Sequence, residues 1–172
     1  MYEVRSHALA LIFVLTSQFS CEAFAQGDIA KRVVGTWRLV DIVDDKGQPT
    51  RGPHPTGYIH YDPSGVMSVQ IQPDWERPKF SFGKSTPEQA KAALEGYTAY
   101  FGTYLVDEQT ATVTHRRTGN INPGDMGDFV RKVEFRDNRL ILRSLDTNNL
   151  NTWERVTTVV TPKLTTTIRN PT

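Results

Sequence analysis

Residues Gly57–Gln72 read GYIHYDPSGVMSVQIQ and combine two alternating segments with a tight-turn sequence. The four residues Asp62–Gly65, DPSG, suit a type I turn in which the glycine takes a left-handed conformation and forms a bulge. This turn pairs Asp62 with Val66 and places five apolar side chains on one face: Ile59, Tyr61, Met67, Val69 and Ile71. Because the turn and the apolar pattern agree, the stretch predicts a β-hairpin with one buried face.

The segments on either side repeat this pattern of short strands and turn residues. Upstream, Val33–Val43 predicts a first strand that ends at the turn cluster DDKG. Downstream, turns at 108–109 and 137–138 separate further predicted strands at Gly102–Asp107, Thr110–Arg117, Phe129–Arg136, Arg139–Asp146 and Leu150–Thr161.

One helix is predicted between the third and fourth strands. Thr86 suits the N-cap, Pro87 the first helical position, and Gln89 the position that completes a capping box. The helix is expected to run to about Tyr100, with an apolar stripe that flanks or plugs the sheet: Ala90, Ala93, Leu94, Tyr97 and Phe101.

The predicted total is eight strands in hairpin order with one inserted helix. Such a meander closes most simply into an all-β, eight-stranded antiparallel up-and-down barrel, since closure removes exposed strand edges. No repeat or low-complexity linker divides the chain, so residues 26–172 are expected to form one domain.

The first 25 residues have the layout of a secretory signal peptide. Arg5 and His7 precede the apolar run Ala8–Leu15, and a small-x-small triplet ends at Ala25. We expect cleavage after Ala25 and export to a periplasm or to the exterior. A lipid anchor at Cys21 is the alternative, but the preceding residues lack an aliphatic-small-small sequence.

Charge and motif content narrow the classes of function. A formal net charge of +1 gives no nucleic-acid footprint, and no apolar run reaches the roughly 20 residues of a membrane-spanning helix. Cys21 is the only cysteine and would leave with the leader. The remaining histidines have no metal-ligand spacing, and no phosphate-binding loop or nucleophile elbow is present, so no metal or cofactor is expected.

Several segments together resemble the lipocalin-like domain of small bacterial and fungal proteins. They include Val34–Val40, Gly57–Gly65, Met67–Gln70, Ala99–Tyr104, Val113–His115 and Trp153–Arg155. The resemblance implies a barrel whose base is closed by Trp37, with Arg155 of the last strand packed across the indole by a cation–π contact.

Four polar residues are predicted to point into the barrel: Tyr61, Tyr104, His115 and Arg131. An inward arginine needs a charged partner, a place at the barrel mouth or an anionic ligand. Burial would keep His115 neutral near pH 7, which suits a ligand hydrogen bond or proton transfer. The alternative is a structural histidine that is hydrogen bonded to a tyrosine hydroxyl or a backbone carbonyl. The tyrosine hydroxyls could orient a polar group of a ligand. These four residues are therefore the candidate ligand-binding residues, with His115 the candidate catalytic one.

Three functions are consistent with this sequence. The first is binding of a small hydrophobic or aromatic molecule in the barrel, which the resemblance favours. The second is a cofactor-free isomerase or cyclase in which His115 moves a proton and a tyrosine or Arg131 stabilises an oxyanion. The third is a barrel filled with its own side chains that binds nothing.

Overall fold

The computed structural model describes residues 28–81 and 83–157, so the predicted leader at 1–25 lies outside the described residues. Two helices and eight strands follow one another along the chain. They are α1 (Ile29–Val33), β1 (Gly35–Val43), β2 (Thr56–Tyr61), β3 (Val66–Gln72), α2 (Pro87–Leu94), β4 (Thr98–Asp107), β5 (Thr112–Asn120), β6 (Asp128–Arg136), β7 (Arg139–Ser144) and β8 (Leu150–Arg155).

The eight strands form a closed barrel in sequence order, with every neighbouring pair antiparallel. The last strand closes on the first, where Trp37 pairs with Arg155 and a register shift falls between Leu39 and Asp41. The predicted eight-stranded up-and-down barrel with one inserted helix is confirmed.

The β2–β3 hairpin has the predicted register. The backbone N–H of Asp62 donates to the Val66 carbonyl at 2.8 Å, and Gly65 has a φ of +90°. All five side chains predicted to share its inner face are buried: Ile59, Tyr61, Met67, Val69 and Ile71. The two-residue turn between β6 and β7 is also confirmed, since Arg136 pairs with Arg139.

The predicted two-residue turn at 108–109 is wrong. Asp107 pairs with Thr112, so the loop between β4 and β5 has four residues. The Asp107 carboxylate stabilises this longer loop by accepting hydrogen bonds from the backbone N–H groups of Gln109 and Thr110. The pairing moves by two residues, which preserves the faces, and Tyr104 lies directly opposite His115 as the inward alternation requires.

The inserted helix begins as predicted but ends six residues early. Thr86 caps it with both hydrogen bonds of a capping box, whereas α2 stops at Leu94 and β4 has begun at Thr98. Gly96 makes the break, because its φ of +71° is incompatible with a continuing helix. The predicted apolar stripe is therefore wrong: α2 buries no residue, and Phe101 is exposed on a strand.

Predicted strand limits also differ by a few residues elsewhere, including at the first and last strands. Val33 belongs to α1, whose first backbone N–H groups donate to the Glu108 carboxylate, and β1 starts only at Gly35. The final strand was expected to reach Thr161; β8 ends at Arg155, and residues 158–161 lie outside the described part of the chain.

The end of the barrel beside α1 is closed by aromatic packing. The Trp37 indole N–H donates to the Val33 carbonyl at 2.7 Å, and the Arg155 guanidinium lies 4.1 Å from the indole centroid. Arg155 also donates to the Val34 carbonyl at 2.8 Å, and Phe135 packs 6.1 Å from Trp37. The predicted contact between Trp37 and Arg155 is confirmed. We call this closed end the base of the barrel.

Candidate functional site: a cavity at the open end of the barrel

A cavity of about 340 Å³ lies in the half of the barrel opposite the base. Its walls include apolar side chains from four strands: Ile42, Ile59, Val69, Ile71 and Leu142. Its rim is formed by the loops at that end, among them Thr50 and Arg51 after β1 and Leu94 to Thr98 between α2 and β4. The volume is near the lower limit of pockets that hold small-molecule ligands, which is about 300 Å³.

His115 reaches this cavity from β5 and is fully buried. Both of its ring nitrogens are hydrogen bonded to tyrosine hydroxyls. Tyr61 of β2 lies 2.7 Å from Nε2, and Tyr100 of β4 lies 2.8 Å from Nδ1. The imidazole is therefore held between two phenols from neighbouring parts of the barrel.

The three residues fix one another's protons. The Tyr61 hydroxyl is fully buried, and His115 Nε2 is its hydrogen-bond partner among the described residues, so the phenol proton must point to Nε2. A neutral imidazole that accepts at Nε2 carries its proton on Nδ1, which then donates to the Tyr100 oxygen. The Tyr100 proton has to point elsewhere, and Tyr100 lines the cavity. This series of hydrogen bonds thus directs the O–H group of Tyr100 into the cavity as a donor.

Burial keeps all three groups neutral. Desolvation lowers the pKa of His115 well below its ordinary value, and the positive charges of Arg131 and Arg117 lower it further. Desolvation also raises the pKa of Tyr61 well above its ordinary value and raises that of Tyr100, which the charge of Arg131 partly opposes. At neutral pH the cluster is therefore uncharged, and Arg131 carries the charge beside it.

Arg131 of β6 contributes a buried cation to the cavity wall. Arg131 is only 9% exposed, and its guanidinium carbon lies 4.0 Å from the Phe129 ring centroid. One terminal nitrogen, Nη1, is buried and has no hydrogen-bond partner among the described residues. The stacking on Phe129 orients the guanidinium plane, and the guanidinium also interacts with the Tyr100 hydroxyl, but Nη1 is left without a partner.

A second arginine on the cavity wall is fully paired. Arg117 forms a salt bridge of 2.7 Å with Asp125 and donates to the Gly127 carbonyl at 2.8 Å. Its guanidinium also lies 5.1 Å from the Phe129 ring centroid. Arg117 therefore ties β5 to the loop before β6, and its charge is balanced by Asp125.

The structure brings the four predicted site residues to different positions. His115 and Arg131 line the cavity. Tyr61 bonds to the imidazole nitrogen opposite Tyr100 and is not part of the cavity wall, so it acts through His115. Tyr104 is half-buried, packs edge-on against Tyr61 with centroids 4.9 Å apart, and donates to the Asp62 carbonyl at 2.9 Å.

Tyr100 is the central residue that the sequence analysis missed. It was assigned to the end of the helix, where it belonged to no predicted site. One signal could have identified it: Tyr100, Gly102, Tyr104 and Val106 alternate in the period of a strand, and Gly96 is a typical helix terminator. Extending β4 back to the residues after Gly96 would have placed Tyr100 on the face of His115.

Two further properties concern the described residues, 28–81 and 83–157. Among them, no three His, Cys, Asp or Glu side chains are grouped as a metal site would require. Neither helix in this part of the chain has the length and apolar character needed to cross a membrane.

A closed eight-stranded meander with a tryptophan–arginine base and a cavity in the opposite half defines a lipocalin-type barrel. The chain belongs to the lipocalin-like domain family, whose model matches residues 34–164. This match covers the whole barrel and confirms the resemblance seen in the sequence. None of the curated proteins matches the chain.

Two solved structures are similar to the chain. One is a DUF4847 family protein from Bacteroides vulgatus, at 14% identity and a TM-score of 0.41, covering 73% of this chain and 95% of that protein. The other is a point mutant of the fluorescent protein UnaG, at 18% identity and a TM-score of 0.35, covering 76% of this chain and all of that one.

Proposed function

We propose that this protein is an exported barrel that binds one small hydrophobic or aromatic molecule in the cavity above His115. The observation that carries the proposal is the cavity itself, which has a volume of about 340 Å³, an apolar wall of Ile42, Ile59, Val69, Ile71 and Leu142, and polar side chains on the rest of its lining. A barrel filled with its own side chains would leave no such volume, because protein interiors are otherwise closely packed.

The enzyme alternative has less support from the geometry. A general base needs a nitrogen within hydrogen-bond reach of the proton that it removes. Both nitrogens of His115 already bond to tyrosine hydroxyls, so neither nitrogen is left to accept a proton from a molecule in the cavity. The arrangement favours a role for His115 in positioning Tyr100 and does not favour a role in removing a proton from a substrate.

Binding can be tested by filling the cavity. Ile71 lines the cavity from β3, whereas Val66 on the same strand is 52% exposed. Ile71→Phe places a ring in the cavity, and Val66→Phe adds the same ring to the outer surface as a matched control. Native mass spectrometry of each protein purified from its own host should show a bound small molecule in the wild type and in Val66→Phe.

The same molecule should be lost from Ile71→Phe, with circular dichroism verifying that the barrel is intact. Equal retention of the molecule in both variants would place it outside the cavity and contradict the proposal. A wild-type protein that carries no molecule and gains no thermal stability from any small apolar compound would contradict it as well.

Export is the part of the proposal that comes from the sequence of residues 1–25. Amino-terminal sequencing of the protein recovered from the host's periplasmic fraction and culture medium tests it. A chain that starts at Gln26 in either fraction is the expected result. A full-length chain found only in the cytoplasm would refute export without affecting the cavity.

A further inference from the structure

Four buried side-chain polar atoms have no hydrogen-bond partner among the described residues. They are Thr50 Oγ1, Arg51 Nε, Arg131 Nη1 and Trp153 Nε1. All four residues line the same cavity. Unpaired buried polar groups destabilise a fold, so their concentration around one volume indicates a ligand that pairs with them.

These groups are mostly donors. The indole of Trp153 and the guanidinium groups of Arg51 and Arg131 can only donate, and the Thr50 hydroxyl can donate or accept. Tyr100 adds a fifth group, because its proton is directed away from His115. A partner for this set must therefore offer several acceptors at one end.

The charge of the cavity wall is positive, which also favours a ligand that offers acceptors. Among the described residues, Arg51 and Arg131 form no salt bridge, and the one carboxylate on the wall, Asp125, is paired with Arg117. Within this part of the chain, two guanidinium charges thus face the cavity without a counter-ion. Water could satisfy a donor, but it could not neutralise a buried charge.

We infer that the ligand is a small carboxylic acid, bound as its carboxylate by Arg131 and Tyr100, with its apolar or aromatic body against Ile59, Val69 and Leu142. A carboxylate supplies two acceptor oxygens in a plane that a guanidinium recognises. The inference rests on the proposed binding function and names the chemical class of the ligand.

Matched pairs of probes test the charge separately from the cavity. Isothermal titration calorimetry compares benzoate with benzyl alcohol, octanoate with 1-octanol, and 2-naphthoate with 2-naphthalenemethanol. Each pair shares a body and differs in the head group. At least one acid should bind the wild type about ten- to a hundredfold more tightly than its alcohol.

Variants then locate the anion. Arg131→Gln should remove the preference, so that the acid binds no more tightly than its alcohol. Arg131→Lys should retain part of the preference, since it keeps the charge and loses the fork of donors. Arg143→Gln, which removes an exposed arginine from β7, is the control and should behave as wild type. Tyr100→Phe, which removes the other group proposed to bind the carboxylate, should reduce the preference and provides a second variant in case Arg131→Gln does not fold.

The possible results test the carboxylate assignment separately from the binding function. Alcohols that bind as tightly as their acids would overturn the carboxylate assignment and leave cavity binding intact. A preference that survives in Arg131→Gln, or in Tyr100→Phe if Arg131→Gln does not fold, would place the anion elsewhere and overturn the assignment too. If no acid or alcohol binds at concentrations up to ~10 mM, both the carboxylate assignment and the binding function fail.

Discussion

His115 has no exposure to solvent, yet both of its ring nitrogens have partners. A buried imidazole costs little when it is neutral and fully hydrogen bonded, and much more when one nitrogen is left bare. The two tyrosines therefore stabilise the fold and also fix the tautomer that turns the Tyr100 hydroxyl toward the cavity.

Removing the Tyr61 hydroxyl should cost stability. Tyr61→Phe leaves the Nε2 atom of His115 buried without a partner, so we expect the free energy of unfolding to fall by about 1–3 kcal/mol. Urea denaturation followed by fluorescence measures this change. Tyr58→Phe on the same strand is the control, because Tyr58 is 50% exposed. Equal effects of the two substitutions would mean that the bond between Tyr61 and His115 contributes nothing.

The depressed pKa of His115 should make stability depend on pH. Below the ordinary histidine pKa of about 6.5 the unfolded chain takes up a proton that the folded chain refuses. The unfolded state then binds more protons, so the free energy of unfolding falls as pH decreases below about 6.5, by up to about 1.4 kcal/mol per pH unit. Above that pH this contribution to stability is complete.

Urea midpoints between pH 5 and 8 measure this slope. His115→Gln should flatten it, whereas His60→Gln, which removes an exposed histidine from β2, should follow the wild type. Long-range nitrogen–proton NMR of the wild type gives an independent reading and should show a neutral His115 protonated on Nδ1 at pH 6. A doubly protonated ring at that pH, or protonation on Nε2, would contradict the proposed arrangement of protons.

At the scale of elements, Gly96 ends α2 and allows β4 to start in time to carry Tyr100 into the barrel. A Cβ atom on Gly96 would lie 2.2 Å from the Trp75 ring, and the residue has a φ of +71°. Gly83 has the same φ, but a Cβ atom there would meet nothing within 4 Å. The two glycines therefore separate backbone strain from side-chain collision.

Gly96→Ala should lower the free energy of unfolding by more than Gly83→Ala does. Both substitutions place a side chain at positive φ, which costs about 1 kcal/mol, and only the first displaces Trp75. Thermal or urea denaturation of the pair measures the difference. Indistinguishable midpoints would show that Trp75 moves freely and that the segment before β4 is not fixed by this contact.

The sequence was informative wherever a turn and an alternating pattern agreed. The hairpin around Asp62–Gly65 and the turn at 137–138 were predicted to the residue, and the inward faces of Tyr61, His115 and Arg131 followed from period-two alternation. The end of the helix after Thr86 was predicted poorly because Tyr97 and Phe101 continue the helical period of Ala90 and Leu94. Gly96 ends the helical period, because its φ is +71° and Trp75 packs against its Cα. The contact with Trp75 is a tertiary one that the sequence does not show.

The cavity's missing partners could not be predicted from the sequence. Alternation indicates that Arg131 points inward. Whether its guanidinium pairs with a carboxylate depends on residues of loops that are distant in the sequence. Arg117 meets Asp125, and Arg131 does not meet any carboxylate among the described residues. The two arginines on the cavity wall therefore differ in their partners, and the difference arises from the tertiary structure.

At the scale of the whole molecule, the barrel divides into a closed base and an open half that contains the cavity. Trp37, Phe135 and Arg155 close the base, while Arg131, His115 and Tyr100 surround the cavity, and the two residue sets share no member. Substitutions at one end should therefore leave the other unaffected, since distant sites without shared partners contribute independently.

Arg155→Ala tests this division. It removes a cation–π contact with Trp37 and a hydrogen bond to the Val34 carbonyl, so the free energy of unfolding should fall by about 1 kcal/mol. Arg155→Lys should give a smaller loss, because it keeps a cation beside the indole. Neither variant should change the affinity of the carboxylate probes by more than about twofold. A tenfold loss of affinity in Arg155→Ala, with the barrel still folded, would show that the base transmits strain through the shared β1–β8 ladder to the cavity wall and that the two halves act as one unit.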